Sequence, residues 1–186
     1  MGGQVAKHLF TTDEFHRMGS AGLFSEDDRV ELLEGEIIEM SPIGSRHAGC
    51  VAALNGLFRD RLKRAAIVWV QNPVVLGRRS EPQPDLALLR PRKDGYRTQL
   101  PEPPDVLLIV EVMDTSHEHD RGPKLRAYAA AGIPEVWLVD LVDEGIEVCR
   151  EPAMHRYRQI ARYRRGQRLS PTAFAPRVFR VTEILG

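Results

Sequence analysis

Cysteine is scarce in this sequence, which has only two, Cys50 and Cys149, in 186 residues. They are far apart and in no C-x-x-C spacing, so the chain has neither a disulfide framework nor a thiolate zinc site. Both are expected to be small core residues. Long apolar runs are also missing: none approaches the roughly 20 residues that span a bilayer, and the first ten residues lack a signal-peptide core. We therefore expect a cytoplasmic protein that does not contact membranes.

The formal net charge is zero, because 26 lysines and arginines balance 26 acidic residues. This balance argues against a protein that coats nucleic acid by electrostatics alone. The charges are unevenly placed: residues 102–147 hold eleven acids and three bases, whereas residues 150–168 hold seven arginines and one acid. One surface could therefore hold a cation and another could meet phosphates. Two solvated strips of opposite sign are the alternative.

Several catalytic motifs are missing. There is no G-x-x-x-x-G-K-[ST] loop and no G-x-G-x-x-G that opens a helix, so nucleotide binding has no support. Without G-x-S-x-G, a serine hydrolase has none either. One metal-like cluster is present, around His117 and His119, which can share a face of an extended segment. A zinc-dependent hydrolase that uses these two histidines is one alternative.

The segment 105–140 predicts the centre of the fold. Residues 106–110 form a short apolar run, typical of a strand buried on both faces. A helix follows, with Asp120 as a candidate cap and Gly132 and Pro134 at its end. Residues 135–140 form a second apolar strand. Strand, helix and strand in about 35 residues form a crossover unit, so the two strands are predicted to be neighbours in one sheet.

The flanking segments complete a single domain over residues 1–186, which has an ordinary composition for a globular protein. Glu34-Gly35 predicts the turn of an N-terminal hairpin. Apolar residues at helical spacing predict a helix from about 45 to 63, with Ser45 as its cap. Residues 145–163 predict C-terminal antiparallel strands, with Tyr157 and Tyr163 on one face. The fold class is α/β (α+β), a mixed sheet flanked by helices.

Two carboxylates are the first candidates for function. Glu111 ends the central apolar run, where a charge is costly unless a partner or a metal compensates it. Asp85 begins another apolar strand after two stiffening prolines. Two carboxylates on neighbouring strands would repel unless a divalent cation lay between them. Lys124, in the first turn of the following helix, is within plausible reach of Glu111.

Other residues are open to two interpretations. His47 lies on the apolar stripe of the predicted helix, either as a hydrogen-bonded core residue or facing the same cavity as Glu111. Three arginines alternate with aromatic residues in the C-terminal strands. That pattern suits phosphate and base contacts and equally suits a solvated sheet face. These candidate nucleic-acid-binding residues are Arg156, Arg158 and Arg162.

The combined spacing of these motifs resembles a known family. The matching segments are Gln83-Pro84-Asp85, Val110-Glu111-Val112, residues 120–128 around Lys124, residues 131–140, and the hairpin with the His47 helix. Together they closely resemble the Uma-two family of restriction-endonuclease-like proteins, within the PD-(D/E)XK nuclease superfamily. The resemblance covers most of the chain and implies a restriction-endonuclease-like core.

By this resemblance, Asp85, Glu111 and the backbone carbonyl of Val112 hold Mg²⁺ or Mn²⁺ for phosphodiester hydrolysis. In the superfamily a lysine stands two residues after the second acid, whereas here that residue is Met113. The family pattern implies that Lys124 supplies the missing charge. Secondary candidates are Glu36, as an additional carboxylate ligand, and His47, as a phosphate or water contact.

The resemblance implies a metal-dependent endonuclease with a nucleic-acid partner, DNA favoured over RNA. It also allows a homodimer, because nucleases of this superfamily often pair to cut two strands. Met113 favours a different alternative, a catalytically inactive module that keeps the nuclease fold and binds nucleic acid or another partner.

Overall fold

A capped helix and a hairpin open the chain. The computed structural model describes residues 6–25, 27–114 and 120–186, with the backbone alone for Asp120 and Arg121. Helix α1 covers Thr12–Ser20 and begins with a capping box between Thr11 and Glu14. Strands β1 (Val30–Leu33) and β2 (Glu36–Glu39) pair antiparallel in a sheet of their own. Glu34 and Gly35 between them both have positive φ, as a tight hairpin turn requires, and the predicted hairpin is confirmed.

A six-stranded mixed sheet forms the centre of the fold and confirms the predicted class. The central pair, β5 and β6, is parallel, as the crossover unit predicts, and all other neighbours are antiparallel. In spatial order the strands are β3 (Ile67–Val70), β4 (Leu86–Leu89), β5 (Val106–Met113), β6 (Glu135–Asp140), β7 (Gly145–Ala153) and β8 (Arg156–Arg164).

One face of the sheet is covered by the long helix α2 (Ser45–Leu62). Its apolar stripe, which includes Leu54 and Phe58, packs against alternate residues of β5 and against Trp137. Ser45 is the first helical residue and not the predicted cap. Gly44 is the N-cap, and without a side chain it makes no capping hydrogen bond.

The opposite face is covered by α3 (Leu125–Ala130), which follows directly on a π-helical turn, Asp120–Lys124. The chain therefore enters this helix through a wider turn than the α-helix predicted from residue 120. Gly132, at φ +77°, ends it as predicted, with Ile133 N donating to Tyr128 O. The capping role predicted for Asp120 concerns a side chain outside the described part of the structure.

The C-terminal segment returns to the α2 face. It consists of β9 (Arg168–Leu169), β10 (Phe179–Arg180) and α4 (Val181–Leu185), and Phe179 packs edge-on against both Phe58 and Trp137. In the described ranges, no helix combines the length and the apolar character needed to cross a bilayer.

The two tyrosines of β8 lie on opposite faces of the sheet, contrary to the prediction from alternation. Tyr157 packs in the α3-side core and donates to Ile133 O, whereas Tyr163 packs against the α2-side core. The physical reason is an irregularity in the neighbouring strand, where Glu151 has φ +58°. Simple alternation does not hold across such a kink.

Both cysteines are buried thiols outside any disulfide, as predicted, and they are expected to be inert. Burial raises the pKa of the Cys50 thiol to about 11. At pH 8 only about 10⁻³ of such a thiol is thiolate, the reactive form. We expect no rapid reaction of the native protein with a disulfide reagent at pH 8, and two reactive thiols in denaturant. A thiol that reacts within seconds in the native protein would contradict this packing.

Candidate active site

Asp85 lies at the start of β4, directly opposite Glu111 on β5. The register pairs Leu86 with Val110, so Asp85, which precedes Leu86, lies beside Glu111, which follows Val110. Asp85 N donates to Glu111 Oε2 at 3.2 Å, and Val112 N donates to Asp85 Oδ2 at 2.8 Å. The two acids, 26 residues apart in the chain, are therefore joined through the backbone of adjacent strands.

His47 reaches Asp85 from the first turn of α2. Its Nε2 lies 3.0 Å from Asp85 Oδ2, and the two side chains are 15% and 14% exposed. Burial raises the pKa of Asp85, but the hydrogen bond and charge of His47, the Val112 N–H and the charge of Lys124 outweigh it, so the net direction is downward. His47 thus faces the cavity and favours the ionised form of Asp85.

Lys124, the last residue of the π-helical turn, points back to Glu111. Its Nζ lies 3.1 Å from Glu111 Oε1, and Tyr128 one turn later donates to the same oxygen at 2.5 Å. All three side chains are almost fully buried. A π-helical turn at this position is notable because such turns occur frequently at functional sites. The structure thus brings together Asp85, Glu111 and Lys124, the three predicted catalytic residues.

Met113, at the position where the superfamily has its lysine, is completely buried. It lies in the core on the α3 side of the sheet, together with Tyr128 and Leu138. Because residues i and i+2 of a strand share a face, Met113 and Glu111 both project to that side. The ammonium that approaches Glu111 comes from the helix above the sheet and not from the strand.

Glu31 on β1 is a site residue that the sequence analysis missed. It is completely buried, lies 3.4 Å from Lys124 Nζ and accepts a hydrogen bond from Gln83 N at 3.1 Å. Alternation along a hairpin gives one buried and one exposed face, but it does not show which acid is buried. The available signal was an acid inside an apolar run, the same signal that identified Glu111.

Glu36 lies apart from these residues in the structure, and the role of additional carboxylate ligand stays a prediction. The side chain is 46% exposed and pairs with Lys7 Nζ at 2.5 Å. The physical reason is the pairing of the hairpin, which places Glu36 opposite Leu33 at the turn, whereas Glu31 lies opposite Ile38 farther along. The acid that the hairpin contributes is therefore Glu31.

A cleft of about 480 Å³ is lined by Glu31, His47, Asp85, Glu111 and Lys124. Acids outnumber bases in its lining, which holds five acids and two bases: Glu31, Glu39, Asp85, Glu111 and Asp114 against Arg29 and Lys124. Nearby negative charges favour a cation between them. The lining also includes Gln71, whose Nε2 lies 3.4 Å from Asp85 Oδ1, and Gly44 at the start of α2.

The carboxylates of the cleft fit a hard divalent cation that takes only some of its ligands from the protein. In the described ranges, no three His, Cys, Asp or Glu side chains form a closed metal cage. Mg²⁺ is commonly held by one or two carboxylates, with water and substrate phosphate at its other positions. Asp85 and Glu111, at the wall of an open cleft, have this character. For Val112 the structure gives the N–H contact to Asp85, and the role of its carbonyl stays a prediction.

The predicted arginines and histidines lie elsewhere. Arg156, Arg158 and Arg162 are exposed on β8, the edge strand three positions from β5, and Arg162 pairs with Asp143 at 2.8 Å. Their role in binding nucleic acid stays a prediction. His117 and His119, the basis of the zinc alternative, lie outside the described residues.

Comparisons with known proteins agree with this architecture. A solved structure of "a putative nuclease belonging to DUF820" from Anabaena variabilis has a TM-score of 0.76, with 15% sequence identity over 95% of this chain and 97% of that one. No curated protein matches the chain. The model of the Uma2 family, described as "Putative restriction endonuclease", matches residues 12–182, nearly the whole length. The chain therefore belongs to the Uma2 family.

Proposed function

We propose that this protein is a metal-dependent nuclease that hydrolyses phosphodiester bonds, with DNA favoured as its substrate. One observation carries the proposal: Asp85 and Glu111 meet across adjacent strands at an open cleft, with a buried lysine 3.1 Å from Glu111. Family membership and the similar solved structure support the same reaction class. A cleft with excess negative charge attracts nucleic acid only if a cation offsets that charge, which supports dependence on a metal.

In this proposal Asp85 and Glu111, with the carbonyl of Val112, hold Mg²⁺ or Mn²⁺. When bound, such an ion would supply Lewis-acid chemistry, with polarisation of the scissile phosphate and a lower pKa of water at the site. Asp85 suits this role because its lowered pKa keeps it ionised over the whole physiological range. The Val112 N–H and His47 hold its carboxylate in one orientation, which preorganises the ligand.

Lys124 offsets the negative charge that develops on the phosphate in the transition state. Its ammonium is fixed by Glu111 and Glu31 and also donates to Gln83 O at 3.3 Å. A preorganised charge in a site of low dielectric stabilises a developing charge more strongly than a mobile surface lysine does. Glu31 and Tyr128 position this pair, because each contacts one of its two members.

An inactive module with the same fold is the second candidate, and buried Met113 is the observation that favours it. In this alternative, Lys124 neutralises Glu111 for stability alone. The protein then binds nucleic acid or another partner without cleaving it. The experiment below separates the two functions.

We expect the wild-type protein to cleave DNA in the presence of Mn²⁺ or Mg²⁺ and to stop when EDTA is added. Asp85→Asn should lower the rate roughly 10²- to 10³-fold, since it removes a charge at the reacting centre while keeping the shape. The assay follows plasmid and single-stranded substrates, with RNA in parallel. Asp27→Asn, the same change at an exposed acid, is the matched control and should cleave at the wild-type rate.

Equal cleavage by the wild type and Asp85→Asn would point to a contaminating nuclease and refute the proposal. No cleavage of any substrate by a folded wild-type protein would leave the inactive module as the better account. Isothermal titration with Mn²⁺ adds a readout without turnover. Heat of binding should be present for the wild type and lost in Asp85→Asn.

A further inference from the structure

We propose that the groove between α2 and β3 binds a single strand of nucleic acid and leads it into the acidic cleft. The groove has a volume of about 630 Å³ and is a separate cavity from the cleft. The inference rests on the nuclease function proposed above and adds the path of the substrate. It places that path at the β3 edge of the sheet and not on the arginines of β8.

The groove has the opposite charge to the cleft. Arg59 and Lys63 are the charged side chains in its lining, and the lining contains no acid. Both are exposed, and neither has an ion pair with an acid in the ranges that the structure describes. Arg61, between them in the chain, instead pairs with Glu183 at 2.7 Å on another side of the helix. Two cations without acids to neutralise them suit the phosphates of a nucleic acid.

The groove and the cleft meet at consecutive residues of the chain. Gln71 lines the cleft and contacts Asp85, and Asn72 lines the groove. The same helix serves both cavities, with His47 at the cleft and Arg59 in the groove. Twelve residues of α-helix span roughly 18 Å. A strand that lies along α2 would therefore pass Arg59 and arrive at Asp85.

The other lining groups match the chemistry of an unpaired strand. β3 is the edge of the six-stranded sheet and pairs only with β4, so one row of its backbone groups faces the groove side. Asn55 and Asn72 add amide donors and acceptors. The Trp69 indole packs against Tyr96 in the α3-side core, so the groove offers its bases and amides to the backbone of the strand. A positively charged groove that follows the backbone is typical of sites that bind single strands.

Binding is tested without divalent ions, so that turnover plays no part. The probe is a fluorescein-labelled single-stranded DNA oligonucleotide, followed by anisotropy over a range of salt concentrations in EDTA. In Arg59→Gln/Lys63→Gln we expect affinity to fall about tenfold and the salt slope to shrink by about 1.4, because each phosphate that is no longer neutralised lowers it by about 0.7. Lys93→Gln/Arg97→Gln, the same change at two exposed bases outside both cavities, is the matched control and should keep the wild-type slope. Arg156→Gln/Arg158→Gln tests the rival path over β8. Circular dichroism of each variant shows whether it is folded before binding is compared.

The outcomes separate the groove from the nuclease function. A wild-type protein that cleaves DNA, with binding reduced by the β8 changes and not by the α2 changes, would refute the groove alone. A folded wild-type protein that neither binds nor cleaves any nucleic acid would refute both. If sedimentation shows a dimer that Val68→Asp dissociates, the β3 edge pairs with a second copy of the chain and the proposal fails.

Discussion

Replacing Lys124 with methionine should lower the free energy of unfolding by about 3–5 kcal/mol, the typical cost of removing one partner from a buried ion pair. The ammonium lies 3.1 Å from Glu111 and 3.4 Å from Glu31, and it is only 5% exposed. Without it, the two buried carboxylates lose the ammonium that contacts both of them. Urea denaturation at pH 7 measures the loss, and cleavage should also be lost at temperatures where the variant stays folded.

The double variant Glu31→Gln/Lys124→Met tests the cause of this loss. If the loss comes from uncompensated charge, removing the charge of Glu31 should make the double variant more stable than Lys124→Met alone. Arg126→Met, an exposed position on the same helix, is the matched control and should stay within about 0.5 kcal/mol of the wild type. A loss below about 1 kcal/mol in Lys124→Met would mean that the pair is not buried as described.

The second large effect concerns a buried acid at the other end of β6. Glu135 is 1% exposed and accepts hydrogen bonds from Trp137 Nε1, Arg150 Nη2 and Thr172 N, at 2.6, 2.9 and 2.8 Å. Glu135→Ala leaves these three donors without their acceptor. We expect a loss of about 3–5 kcal/mol in the free energy of unfolding, again measured in urea.

Unlike Lys124→Met, this variant should keep its activity. Glu135 begins β6, whereas the residues of β6 that lie beside Glu111 and Met113 are Leu138 and Asp140 at its other end. The cleavage rate per folded molecule should therefore equal that of the wild type. Glu36→Ala, at an exposed acid, should change neither stability nor rate. Loss of cleavage in folded Glu135→Ala would show that this end of the sheet also shapes the site.

The sequence allowed much of this site to be predicted, for a physical reason. Asp85 and Glu111 are charges placed in apolar strands, and such charges need compensation wherever the strands lie. The strand, helix and strand of residues 105–140 restrict the topology to parallel neighbours, which brings Lys124 above β5. The resemblance to the Uma-two family, confirmed by the family match, added the placement of the two acids on adjacent strands of a mixed sheet.

What could not be predicted depends on how separate elements meet. The hairpin carries Glu31 and Glu36 on the same face, and only its docking against Gln83 and Lys124 selects Glu31 over Glu36. The irregularity at Glu151 in β7 likewise has no signal in the pattern of β8. Alternation therefore placed Tyr157 and Tyr163 on one face, whereas they lie on opposite faces. The groove beside β3 depends on the gap between a helix and a strand edge, which spacing along the chain does not reveal.

The hairpin that carries Glu31 determines where a shortened polypeptide can begin if it is to keep this acid. It forms its own two-stranded sheet and is attached by contacts of Leu32 with Glu81, of Gly35 N with Arg79 O, and of Gly35 with Leu9. A shortened polypeptide that starts at α2 would keep all six strands of the large sheet and still lack the second acid beside Lys124. Cleavage by a protease before α2 would therefore separate Glu31 from Lys124 and leave every strand of the large sheet in one polypeptide.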